Sequence, residues 1–318
     1  MNTAQFANFF RELGHRLVIT NKCLWFNPHP FLFKSLPFHQ IVDPSPDEVA
    51  RVFLHGPALA VRYPSPAHGA TADGGMYVCS RRDYDIESLS ANVRSHTRRG
   101  LARCNIRQID FAYLRDHGYG LFEDTIQRQT NGRPSISTNQ WRHFCTIASQ
   151  TVDTEAWGAF VEGRFAAYIV GMLIDDCYYI HVQKSASDLL KYYPNNALTF
   201  VVLKEKLSGG LVSAVSHGQI ALAAREGLYR FKRSMGFEIQ PFKERVIFNP
   251  LIKSTLRFGR GMASILQRRD PANLFWRRVS RSIELARDAP LGRLAVVDGR
   301  YNPLDRDLPL TPPGERRI

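Results

Sequence analysis

The sequence predicts an α+β fold in which helices cover a mixed, mostly antiparallel sheet. Two observations carry this. The run "AWGAFVEGRFAAYIVGMLIDDCYYIHVQKS" holds three β-prone segments parted by Glu162-Gly163 and Asp175-Asp176, the turn chemistry of two consecutive hairpins. After it the pattern alternates helix, strand, helix, strand, as a crossover unit appended to a meander would.

In chain order, "LWFNPHPFLFKSLPFHQIVDPSPDEV" is aromatic- and proline-rich, and prolines 28, 30, 37, 44 and 46 exclude a long helix. "ALAVRYPS" and "GMYVCSR" read as strands. In "DIESLSANVRSHTRRGLARC", Leu89, Val93 and Leu101 mark the apolar side of a helix whose other side carries Arg94, Arg98, Arg99 and Arg103. "NIRQID" is a strand; "FAYLRDHGYGLFEDTIQRQT" and "STNQWRHFCTIASQT" are helices, the second capped at Ser137 or Thr138. A helix starts near Pro194 to Asn196, with Leu198, Val201, Val202 and Leu207 facing inward. "GLVSAVSH" is a strand, "LAAREGLYRFKRSM" a helix ended by Gly236, and "FEIQPFKERVIFN" a last strand with an expected bulge at its proline. From Pro250 the character changes. Between 251 and 290 nine basic residues face three acidic ones in what reads as a basic extension (250–290) of two amphipathic helices, and the proline-rich, polar 291–318 reads as a disordered tail.

The chain has 318 residues, a hydrophobic content of 44% and a net charge of +13. Such a charge favours anionic partners: RNA, a nucleotide-bearing donor or an anionic membrane surface. Five scattered cysteines show no zinc, redox or disulfide spacing, which fits a reducing cytoplasm and buried thiols. "FAAYIVGMLI" is too short to span a bilayer, and no secretory signal is visible, so the expectation is a cytoplasmic protein, with peripheral attachment at the inner membrane surface left open. There is no phosphate-binding P-loop, dinucleotide fingerprint, H-E-x-x-H or paired C-x-x-C, and no metal is expected.

"LYRFKRSMGFE" lies between a strand–helix unit and a final strand. It resembles the closing segment of the GNAT acyltransferase superfamily, where the last helix reads A-x-x-L-Y-x-x-x-G-F. Phe231-Lys232 stands in the Leu-Tyr slot, and this Phe-Lys version is similar to the Fem-type, acetyltransferase-like branch. "KYYPNNALTFVVLKEKLSGG" resembles the proline-opened helix of the same branch. The resemblance covers about 85–249, taken as the acyltransferase core, and implies that 1–84 forms an N-terminal lobe contributing to a degenerate first GNAT-like half. It implies transfer of an acyl group from an activated donor to an amine, with acyl-CoA as the first expectation for the donor. The acceptor is then an amine-bearing small molecule or a cell-envelope precursor. One departure matters: the glycine loop that holds the acetyl-CoA pyrophosphate is absent from "QKSASDLLKYYPNNAL". That opens the Fem-type alternative, an aminoacyl-tRNA donor. A non-catalytic binder of RNA or anionic lipid is a third reading.

The resemblance gives Lys232 the place where relatives carry a tyrosine acid, to serve an oxyanion or a phosphate. Tyr229, one turn earlier on the same helix face, is either a replacement for the missing tyrosine hydroxyl or a packing residue. His181, on the face of Tyr179, and His217, at a strand end, are candidate bases or structural imidazoles. Glu155 and Glu162 are weaker candidates. Lys184, Lys191, Asn195 and Asn196 can meet donor phosphates by a geometry other than the glycine loop. Arg98 and Arg99 offer phosphate-binding charge or a solvated helix surface. The basic stretches after Pro250 pack as a cover, with a role on a membrane or a tRNA backbone beside it.

Overall fold

The computed structural model describes residues 1–29, 31–55, 58–66, 72–130, 136–210, 212–220 and 226–250. The basic stretches after Pro250 and the expected tail lie outside the described residues. The strands are β1 (Leu17–Ile19), β2 (Leu24–His29), β3 (Leu32–Leu36), β4 (Ala60–Ser65), β5 (Ala72–Cys79), β6 (Cys104–Ile109), β7 (Thr154–Val161), β8 (Arg164–Ile174), β9 (Cys177–Ser185), β10 (Ala214–Gln219) and β11 (Glu238–Phe248). The helices are α1 (Thr3–Glu12), α2 (Pro46–Leu54), α3 (Ala91–Arg103), α4 (Phe111–Thr130), α5 (Thr138–Gln150), α6 (Pro194–Ser208) and α7 (Glu226–Ser234).

All eleven strands join one sheet in the order β1-β2-β3-β4-β11-β5-β10-β9-β8-β7-β6. Among the described residues only β3–β4 and β9–β10 pair in parallel. β11, from late in the chain, lies between β4 and β5 and pairs with both. The expected mixed, mostly antiparallel sheet with flanking helices is what the chain forms.

Both predicted hairpins are present. Glu162 (φ +49°) and Gly163 (φ +78°) turn β7 into β8, and Asp175 (φ +53°) turns β8 into β9; tight hairpins demand this left-handed backbone. Ser137 caps α5, its hydroxyl accepting from the Gln140 amide while the Gln140 side chain accepts from the Ser137 N–H. The expected bulge at Pro241 is not found: it stands in continuous register opposite Gly75. Pairing with β4 starts only at Lys243, so the proline's missing N–H costs no ladder bond on that side.

Two cores sandwich the sheet. On one face Phe6, Phe9 and Phe10 of α1, Leu114 and Phe122 of α4 and Trp141 and Phe144 of α5 pack on Tyr168, Met172 and Tyr179. On the other, Val93 of α3, Leu198, Val202 and Leu203 of α6 and the Met235–Phe237 corner after α7 pack on Trp157, Ile169, Tyr178 and Val215. A third core holds α2 against the β1–β4 end through Trp25, Val49, Val52 and Tyr63. α3 and α6 approach closely because position 100 is glycine. A Cβ there would come within 2.7 Å of the Tyr193 carbonyl oxygen.

Candidate functional site

A notch opens between two central strands. β9 and β10 are in register only from Cys177↔Ala214 to Tyr179↔Ser216. Beyond that, β10 bends at Gly218 (φ +79°) and shifts register against β5. β9 bulges against β8: Val170 faces Val182, Gly171 faces Ile180, and His181 is the extra residue. Bulges beside a parted strand pair re-aim side chains and leave backbone groups available to a ligand.

Lys232 closes one side of this notch. α7 buries its side chain so that Nζ donates to the His217 carbonyl oxygen at 2.6 Å and lies 4.3 Å from the Tyr77 ring centre. Burial pulls its pKa down to about 8. His217 Nε2 meets Gln183 Oε1 at 2.8 Å, and the Gln183 amide donates to Thr199 Oγ1 at 2.9 Å. With the amide so oriented, His217 carries its proton on Nε2 and presents Nδ1 as an acceptor. Burial, and then the Lys232 charge, hold its pKa well below the usual range, so the imidazole is neutral. Tyr229 packs edge-on to Tyr77, ring centres 6.2 Å apart, and its hydroxyl accepts from Arg233.

The structure thus brings Lys232, His217, Asn195 and Asn196 to the α6–α7 side of the sheet. Asn195 Oδ1 lies 3.4 Å from Gln183 Nε2, and the Asn196 amide reaches Met235 Sδ at 3.4 Å. α6 begins at Tyr193 in left-handed conformation (φ +56°) followed by Pro194, without a side-chain cap. Its first N–H groups therefore keep their capacity for an anion.

His181 and Lys184 go to the other face. The His181 ring sits about 6 Å from Phe9, Phe10 and Phe144, at 6.1, 6.1 and 6.0 Å. It is reached by solvent although protein surrounds it, and that enclosure drops its pKa to about 4. The Lys184 ammonium lies 4.8 Å from the Phe122 ring centre on α4. Lys191 stands exposed over Tyr192, Arg98 pairs with Glu87, and Arg99 is exposed. Glu155 is a packing centre that accepts from Trp157, Tyr178 and Lys206, and Glu162 is at an exposed turn. The five thiols are all buried, and burial raises those of Cys145 and Cys177 to about 12. They are poor nucleophiles.

Two residues of the notch carry no sequence signal. Gln183 joins His217 to α6, and Lys34 of β3 reaches across to donate to Gln219 Oε1 at 2.8 Å, its pKa lowered to about 8 by burial and then by Arg62. Both matter only through contacts distant in sequence. Among the described residues no cluster of His, Cys, Asp and Glu is disposed to hold a metal, and no helix is long and apolar enough to cross a membrane.

No protein-family model matches the chain, and neither does any curated protein. Solved structures do. FemX superposes with a TM-score of 0.56 over 78% of this chain and 92% of its own, at 12% identity. The C-terminal domain (DUF2156) of a putative lysylphosphatidylglycerol synthetase from Agrobacterium fabrum gives 0.52 over 77% and 87%, at 11% identity. A tandem GNAT protein from the clavulanic acid biosynthesis pathway gives 0.43 over 73% and 81%, at 12% identity. At such identities the likeness is one of fold: the chain shares the fold of FemX and of the DUF2156 domain.

Proposed function

We propose that this protein is an N-acyltransferase in which the β9–β10 notch holds the activated carbonyl and Lys232 serves the charge that develops there. The amine attacks the carbonyl carbon, a C–N bond forms, the C–S or C–O bond to the donor breaks, and the leaving group takes a proton. Lys232 is the observation that carries this reading: an ammonium without a carboxylate partner among the described residues, aimed by the His217 carbonyl into a gap between central strands. In that position it stabilises an oxyanion or protonates the leaving atom. The donor enters from the α6–α7 side, its phosphates at the uncapped start of α6. The neutral histidines are weak bases, so the acceptor amine arrives already deprotonated.

Acyl-CoA is the first donor to test. The missing glycine loop favours a second, an aminoacyl-tRNA acting on a cell-envelope precursor. Binding of labelled acyl-CoA and of aminoacyl-tRNA, each followed by transfer to a panel of amines, tests both. Binding of neither removes the enzyme reading, and salt-dependent RNA or vesicle binding without turnover replaces it with a binding protein.

A further inference from the structure

β9 changes character halfway along. Cys177 to Ile180 are shut in, whereas solvent reaches His181, Val182, Gln183 and Lys184 in the middle of a sheet covered by helices on both faces. Strict alternation would send His181 and Lys184 to opposite faces. The bulge at His181 cancels one step, so His181, Val182 and Lys184 all line the α1–α4–α5 side while Gln183 turns to α6. The floor of this cleft therefore runs from the notch outward as imidazole, isopropyl and ammonium.

Its two ends differ in chemistry. Around His181 the walls are rings: Phe9, Phe10 and Phe144. The imidazole is neutral there, so an uncharged body is what this end accepts. At the other end Lys184 has no hydrogen bond to a carboxylate or carbonyl among the described residues; its contact is the Phe122 ring. The neighbouring charge is Arg128, whose guanidinium holds the Ser185 hydroxyl at 3.1 Å, and Asp124, ion-paired to Arg128, is engaged by Ser187. Burial and Arg128 pull the Lys184 pKa down to about 8 with no carboxylate offsetting them. A deep ammonium beside a second cation is relieved by an incoming anion.

We infer that the His181–Val182–Lys184 cleft is the acceptor subsite and takes an amine that carries an apolar body and an anionic group, carboxylate or phosphate. The body lies against His181 among the phenylalanine rings and the anion at Lys184. Two residue steps lead from Val182 to Lys184, which places the anion about 7 Å beyond Val182 along the floor. That the ligand is an acceptor rests on the transferase reading; that it binds here does not.

The test is calorimetric titration at low salt with octanoate, octyl phosphate and octylamine below their micelle-forming concentrations, with acetate and inorganic phosphate as anions lacking a body. Octanoate or octyl phosphate should bind at least tenfold more tightly than octylamine and than the bodiless anions, and the tighter of the two identifies the headgroup. K184M should lose about tenfold in that affinity, K184R should keep it within about threefold, and the ligand should move the His181 ring resonances. Equal binding of octylamine, no binding of either chain anion, an unaffected K184M or unmoved His181 signals would each overturn the assignment. Lys184-dependent anion binding in a protein that turns over no donor would leave the subsite standing and remove the transferase reading; turnover without it would do the reverse.

Discussion

Lys232 Nζ donates to the main-chain oxygen of His217 at 2.6 Å, tying the last turn of α7 to the point where β10 leaves its neighbour. A carbonyl dipole and the Tyr77 face orient this ammonium without neutralising it. In a carboxylate salt bridge the same group would be stabilised but spent.

Lys232→Met should therefore cost at least about 100-fold in kcat with whichever donor binds, with a much smaller change in donor affinity. The turnover of the parent protein should fall as pH rises through about 8, where Lys232 loses its proton. Retained turnover in the variant would take the residue out of the chemistry. Stability runs the other way. The folded pKa lies below the ordinary lysine value, so between about 8 and about 10.5 the unfolded chain binds more protons and stability rises with pH. The rise attributable to Lys232 is on the order of 3 kcal/mol, and urea unfolding at pH 7 and pH 10 should show a flatter dependence in Lys232→Met.

His181 should remain neutral from pH 8 down to about 5, and ring resonances followed by NMR should titrate only near pH 4. Between the usual histidine pKa and that value the unfolded state holds the extra proton, so folding stability falls on acidification from about pH 6.5. A ring that titrates near 6.5 would mean that the Phe9–Phe10–Phe144 enclosure is open.

Asn196→Asp puts a carboxylate in the first turn of α6. It should stabilise the helix by about 0.3–1 kcal/mol while repelling donor phosphates, so donor affinity should drop about tenfold or more even as Tm holds or rises. Unchanged donor binding would move the phosphates away from this helix.

Gly171→Ala should destabilise strongly. A Cβ at 171 would lie 1.8 Å from the Tyr178 hydroxyl, which is bonded to Glu155. Relieving that clash displaces a fully buried tyrosine and breaks the Glu155 cluster, a loss of about 2–4 kcal/mol measurable in urea. A near-neutral result would show that the strand pair can shift as a unit.

The hairpins, α5 with its cap, α6 and α7 were legible because turn residues, a capping box, a helix-opening proline and a terminating glycine are local signals. The first fifty residues were less so. β1 is three residues long, β2 contains Pro28, and α1 is recognisable through aromatic packing that only its partners reveal. Lys232 could be singled out by its distance from Gly236, but its partner is a backbone oxygen fifteen residues away. Lys184 and Asn195 looked like members of one phosphate-binding stretch; β9 sends the lysine to α4, while the asparagine starts α6 on the opposite side. No alternation rule anticipates the bulge that puts His181 and Lys184 on one face.

The place of β11 has a consequence for how the molecule is born. β4 and β5 leave the ribosome early, yet each pairs with a strand made long afterwards. Until Glu238–Phe248 emerges, both carry a bare edge that must neither zip to the other nor recruit a neighbouring nascent chain. Closure of the sheet is thus a late, long-range event, which slows folding. A product truncated before β11 would expose two sticky edges rather than merely lack a strand, a substrate for chaperones and proteases instead of a smaller working protein.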